Sequence, residues 1–136
     1  MPAARALEQA IRIEKYEPRY WLHLGAAYVR LGRESDAKVL LDRSIQWGDP
    51  NEWEGRYLLG RIYVKSGDYK TAQRLFAEAT ARTPPRADLI AWQGLAAFGS
   101  GDMTLARERY DAAEPLGPDD PAVKGLAHAL LMAPSE

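Results

Sequence analysis

The 136-residue chain contains no cysteine, and this excludes disulfide frameworks, thiolate metal sites and cysteine nucleophiles together. It also lacks an excess of either charge, since 18 Lys and Arg against 19 Asp and Glu leave a net charge of -1. No bulk attraction to nucleic acid or to an anionic membrane is encoded, so a partner has to be recognised locally. Long apolar runs are missing too. The charge-free stretch from Gly125 to Ala133 is far shorter than the roughly 20 residues that span a bilayer, and no membrane insertion is expected. Near the amino terminus, Arg5 and Glu8 interrupt any apolar segment that could act as a secretory signal. As written the chain reads as cytoplasmic, with a periplasmic location or a larger membrane-associated parent left open.

Chemistry-bearing residues are equally scarce. The two histidines, His23 and His128, are widely separated and have no ligand spacing with another histidine or a carboxylate, so no metal is expected. The 11 glycines form no phosphate-binding or dinucleotide-binding fingerprint after a strand, so no cofactor is expected either. No Ser, His, Asp order supports a catalytic triad, and the chain reads as non-enzymatic. The acidic clusters at 49–52 and 119–120 fall where Asp and Asn favour turn and helix-cap geometry. What is present is ordinary for one folded domain, with 46% hydrophobic and 27% charged residues.

The informative feature is a period. Gly25, Gly60 and Gly94 are spaced 35 and 34 apart, and the same intervals separate Gly32, Gly67 and Gly101. Three further columns keep step: Ala37, Ala72 and Ala106; Leu41, Phe76 and Tyr110; Ser44, Ala79 and Ala113. The single extra residue falls in the turn-forming stretch 48–51, where an insertion costs little. Within a period the apolar spacing is helical, as in Trp21, Leu24, Tyr28 and Leu31, so each repeat is a pair of helices. Gly32, Gly67 and Gly101 end the first helix, Asp68 and Asp102 cap the second, and the proline-rich turns at 84–85 and 115–118 close it. No segment alternates with period two, and no sheet is predicted.

These residues resemble the tetratricopeptide repeat family. Trp21, Leu24, Gly25 and Tyr28 reproduce its first-helix signature, and Ala72, Phe76 and Pro84 its second-helix part. Repeat one covers about 18–52 and repeat two about 53–86, with Arg56 in the column of Trp21. Repeat three, about 87–120, is the most degenerate, with Ile90, Gln93 and Ala97 at the Trp, Leu and Tyr positions. Small residues at Gly25, Ala37 and Ser44 allow two antiparallel helices to approach, and large ones fill the space around the contact. Ala3, Leu7 and Ala10 continue the second-helix register backward, so residues 1–16 read as an orphan second helix of a partial repeat. Asp120 and Pro121 open a capping helix over 121–132. The resemblance implies an all-α, right-handed α-solenoid of about eight helices in one domain.

The resemblance also implies a concave groove lined by the first helices. Its candidate residues are Arg19, Leu22, His23 and Arg30 in repeat one, Tyr57, Leu58, Arg61 and Lys65 in repeat two, and Trp92 and Leu95 in repeat three. Arg19, Arg30, Arg61 and Lys65 against Glu54 and Asp88 give a local charge of +2, followed by an apolar strip. A protein or peptide partner with hydrophobic anchors and some acidic residues would complement it. The carboxylate clamp that one subclass uses for chaperone tails is not expected, because Leu22, Ala26, Leu58, Asp88 and Trp92 stand at its positions. Balanced charge argues against RNA. The alternative is self-association through the open ends of the solenoid.

Overall fold

A computed structural model describes residues 5, 6, 8, 18–47 and 53–133, and all its regular structure is helical. Seven helices follow in order: α1 (Pro18–Arg30), α2 (Glu34–Trp47), α3 (Glu54–Ser66), α4 (Tyr69–Thr80), α5 (Ala87–Gly99), α6 (Met103–Ala113) and α7 (Pro121–Met132). The orphan helix expected over 1–16 lies largely outside the described residues. Arg5, Ala6 and Glu8 are helical, and the Tyr28 hydroxyl donates to Glu8 Oε1 over 2.9 Å.

Local chemistry sets the boundaries. Gly32, Gly67 and Gly101 adopt φ of 77°, 86° and 88°, the left-handed turn that ends a helix and that a Cβ disfavours. After Gly67 and Gly101 the next helix starts on an aspartate. Asp68 accepts from Thr71 N at 3.3 Å and Asp102 from Leu105 N at 3.1 Å, so each carboxylate satisfies an otherwise unpaired first-turn amide. Asp120 does the same for α7, accepting from Ala122 N at 2.8 Å, with Pro121 in the first turn.

Packing follows the columns. A Cβ placed on Gly25 would lie 2.8 Å from Leu41 Cδ2, and one on Gly60 would lie 2.6 Å from Phe76 Cε1. The glycines are therefore points of close approach within the first two pairs. The third pair differs, because Gly94 meets Leu126 of α7 and Arg109 Cβ, not Tyr110. The large residue over that glycine is supplied by the following helix. Arg56 in the Trp column is buried and pairs with Glu78, Nε to Oε1 at 3.1 Å, so a charge is accommodated only with its counterion.

Helices pack in two layers. Each helix contacts its successor, while α1, α3, α5 and α7 also contact one another in sequence as an inner row. One apolar cluster, centred on Leu41, Leu59 and Phe76, runs from α1 into α5. A second, of Ile90, Ala91, Ala113, Val123 and Leu126, joins α5, α6 and α7. The result is an all-α solenoid of antiparallel helix pairs in which each pair stabilises its neighbours.

Candidate partner-binding groove

The inner row positions every residue expected in the groove, but not all of them reach its surface. Arg19, His23 and Arg30 are exposed on α1. Leu22 and Leu58 are corrected to core positions, at 4% and 9% exposure. The cause is the neighbouring inner helix: a Cβ on Gly55 of α3 would lie 3.7 Å from Leu22 Cδ1, so α3 closes over Leu22. Lys65 is also displaced. At the end of α3 it lies 4.0 Å from Glu34 Oε2 and borders a shallow depression with Ser35, Lys38 and Ile62, on the side facing α2.

The remaining residues converge. Tyr57 and Arg61 of α3, Asp88, Trp92 and Leu95 of α5, and Asp120, Pro121, Ala122 and Gly125 at the start of α7 line one cavity of about 440 Å³. A ladder of cations and rings leads into it from Arg86 and Trp53, which lie outside its lining, and crosses from repeat two to repeat three. The Arg86 guanidinium lies 4.3 Å from the Trp53 ring centre, and Trp53 is 5.8 Å from Tyr57. Arg61 follows, 5.5 Å from the Tyr57 ring and 5.0 Å from Trp92. Each such contact is attractive because the ring face is electron-rich. The ladder holds Arg61 between two aromatic walls in a half-buried position.

Electrostatics at the cavity differ from the expected basic groove. The cavity lining carries one cation, Arg61, against Asp88 and Asp120, a formal charge of -1, and Arg86 beside it pairs with Asp88. Asp88 is engaged by Arg86 through two hydrogen bonds of 3.2 Å each, which raise the Arg86 pKa. Asp120 is occupied as the α7 cap. Arg61 has no ion-pair partner among the described residues, and its Nε is buried without a hydrogen bond. Burial pushes the Tyr57 phenol up, while the Arg61 cation beside it pulls the other way.

Sequence reasoning missed Trp53, Arg86 and the start of α7. Trp53 precedes its helix and Arg86 follows the double proline, so neither falls in a helical column; the Asp120-Pro121 pair signalled a cap and nothing more. Among the described residues no group of three or more His, Asp or Glu is arranged to hold a metal. No helix of the described residues is long and apolar enough to cross a membrane.

Residues 57–121 match the tetratricopeptide repeat family. Cilia- and flagella-associated protein 70 of Homo sapiens is 29% identical over 118 residues, which is 84% of this chain and 10% of that protein. The chain therefore spans about a tenth of the curated relative it matches. Among solved structures, a MamA RS-1 double mutant superposes with a TM-score of 0.81 at 25% identity, covering 94% of this chain and 72% of that one. YrrB, described as a TPR protein with an unusual peptide-binding site, gives 0.80 at 21% identity, covering 91% of this chain and 63% of that one. MamA from Desulfovibrio magneticus RS-1 gives 0.78 at 23%, covering 94% and 80%.

Proposed function

We propose that this chain, which is similar to the tetratricopeptide repeat family over residues 57–121, holds a peptide or helix of a partner protein in the cavity bounded by α3, α5 and α7. One observation carries the reading. A guanidinium without an ion-pair partner among the described residues is fixed between Tyr57 and Trp92 in a cavity of about 440 Å³. Aromatic and arginine side chains are the residue types that dominate the binding energy of protein interfaces, because they bury large area at small entropic cost. Leu95 and Ala122 add apolar wall, and a lining without net positive charge favours a protein segment over a polyanion. The reading assigns no reaction to the chain.

The test compares proteins retained from native lysate by the wild type and by Arg61→Glu/Leu95→Glu, after both are matched for helical signal. Tyr57 is left intact because it is 8% exposed and its replacement would disturb the core. Retention by the wild type alone supports the cavity, and equal retention by both sinks it.

A second reading is favoured by the far end of the solenoid. Leu131 and Met132 of α7 are 83% and 72% exposed, and α6 and α7 form an open cleft of about 430 Å³ with Tyr110 and Leu130. Uncovered apolar surface of this kind is a site for stacking a second copy. Light scattering over a concentration series tests it, with a constant monomer mass counting against self-association.

A further inference from the structure

The outer helices α4 and α6, with the inner helix α5 between them, border a second, open cavity of about 360 Å³ lined by Gln73, Ala77, Gln93, Asp102, Leu105 and Arg109. Two of these residues break the repeat. Gln93 occupies the column of Leu24 and Leu59, which are 4% and 2% exposed, and Arg109 occupies the column of Leu40 and Leu75. In repeats one and two both columns belong to the apolar cluster. Only repeat three replaces the two leucines, and it replaces both around the same cavity.

The replacements are incompletely satisfied. Gln93 Oε1 and Arg109 Nε are buried without hydrogen-bond partners among the described residues. Buried polar atoms left unpaired are destabilising, whereas leucines in these columns join the apolar cluster in the other repeats. One atom is an acceptor and the other a donor, so the complement has to carry both functions.

We infer that this cavity is a binding site for an amide group of a partner protein, its N–H directed to Gln93 and its carbonyl to Arg109. Charged groups match less well. A carboxylate would satisfy Arg109 but leave Gln93 Oε1 without a donor and share the cavity with the Asp102 carboxylate. An ammonium would suit Gln93 and Asp102 and be repelled by Arg109. An amide comes either from an Asn or Gln side chain or from the main chain of an extended segment. Engagement requires the long Gln93 and Arg109 side chains to turn toward the cavity, a rotamer change of the kind common on binding. This site shares no lining residue with the cavity of α3, α5 and α7 and does not depend on it.

The experiment is a nitrogen-15 NMR titration that follows the Arg109 Nε–Hε and Gln93 side-chain amide signals. The probes are acetamide and N-methylacetamide, with acetate and methylammonium as charged controls. Saturable shifts of both signals with either amide, and with neither control, are expected. Saturation by acetamide assigns a side-chain source, and saturation by N-methylacetamide a main-chain one. The shifts are expected to vanish in Gln93→Leu/Arg109→Leu, whose leucines are those of the other repeats. Arg109→Lys keeps the charge, removes the Nε donor and must also lose saturation, which preserves the test if the double variant does not fold. The inference is overturned by non-saturating shifts with every probe, by saturation with acetate alone, or by saturation that survives in Arg109→Lys. A scalar coupling across a hydrogen bond between Arg109 Nε–Hε and the Gln93 carboxamide in the free protein would also overturn it, since the two groups would then satisfy each other.

Discussion

Replacing Gly60 with alanine places two effects of opposite sign on one atom. In a helix interior, Gly to Ala is favourable by about 1 kcal/mol. Here the new Cβ would sit 2.6 Å from Phe76 Cε1 and 2.9 Å from its Cδ1 and Cζ, against an optimum of about 3.5–4.0 Å between carbons. Phe76 has 0% exposure and its ring centre is 6.4 Å from that of Tyr57, so it cannot swing aside without disturbing a second buried ring. Overpacking of this kind costs about 1–3 kcal/mol and outweighs the propensity gain. A net destabilisation of about 1–2 kcal/mol is expected by urea denaturation, taking the difference of those two effects at its upper end. Gly125→Ala in α7 is the control, since its Cβ meets nothing within 4 Å. It should stabilise by about 0.5–1 kcal/mol. Phe76→Leu should relieve part of the Gly60→Ala penalty, giving a coupling of the two substitutions that is favourable. If Gly60→Ala proved as stable as Gly125→Ala, the close approach of α3 and α4 would not be what the glycine is there to permit.

Three other outcomes follow from the same physical reasoning. Glu78→Ala removes the carboxylate facing Arg56, whose side chain is 9% exposed, while Glu78 itself is 34% exposed. Breaking a fully buried pair costs about 3–5 kcal/mol, and the partial exposure of Glu78 lowers the expectation to about 1–3 kcal/mol, with Arg56→Leu in the same background recovering part of it on thermal denaturation. Asp68→Ala should lose about 1 kcal/mol through the uncapped start of α4, read as a lower denaturation midpoint with an unchanged slope. Tyr57 should titrate above a free phenol by ultraviolet absorbance, because burial disfavours the phenolate, and Arg61→Ala should raise it further by removing the neighbouring cation. As a group whose folded pKa is raised, Tyr57 contributes stability that is complete below the unfolded value and is lost as pH climbs through the folded one.

Much of the fold is legible in residue columns because the period repeats one packing solution. Left-handed glycines at 32, 67 and 101 and aspartate caps at 68, 102 and 120 act through bonds within a few residues, so sequence position alone locates them. The helix expected over 121–132 starts and stops where its cap and its apolar spacing place it. The groove is less legible because its surface is made by neighbours. Leu22 and Leu58 occupy groove offsets, yet both are buried, Leu22 beneath the next inner helix. Asp120, Pro121 and Gly125 enter the cavity because α7 continues the inner row beyond the third repeat, a consequence of how successive pairs stack. Gly94 illustrates the same point, with Leu126 in the role that Leu41 and Phe76 play over Gly25 and Gly60. Column reading gives each residue its own pair and says little about what the following pair supplies.

We propose partner binding on the wall made by α3, α5 and α7. The most direct measurement is site-specific photocrosslinking in native lysate, with a benzophenone amino acid at Leu95 in the cavity and, in a second protein, at the exposed Arg74 of the outer helix α4. A discrete crosslinked protein from position 95, absent from position 74 and abolished by Arg61→Glu, is the predicted result. Crosslinks from position 74 with none from position 95 would rule out this wall and move the binding surface to the outer layer.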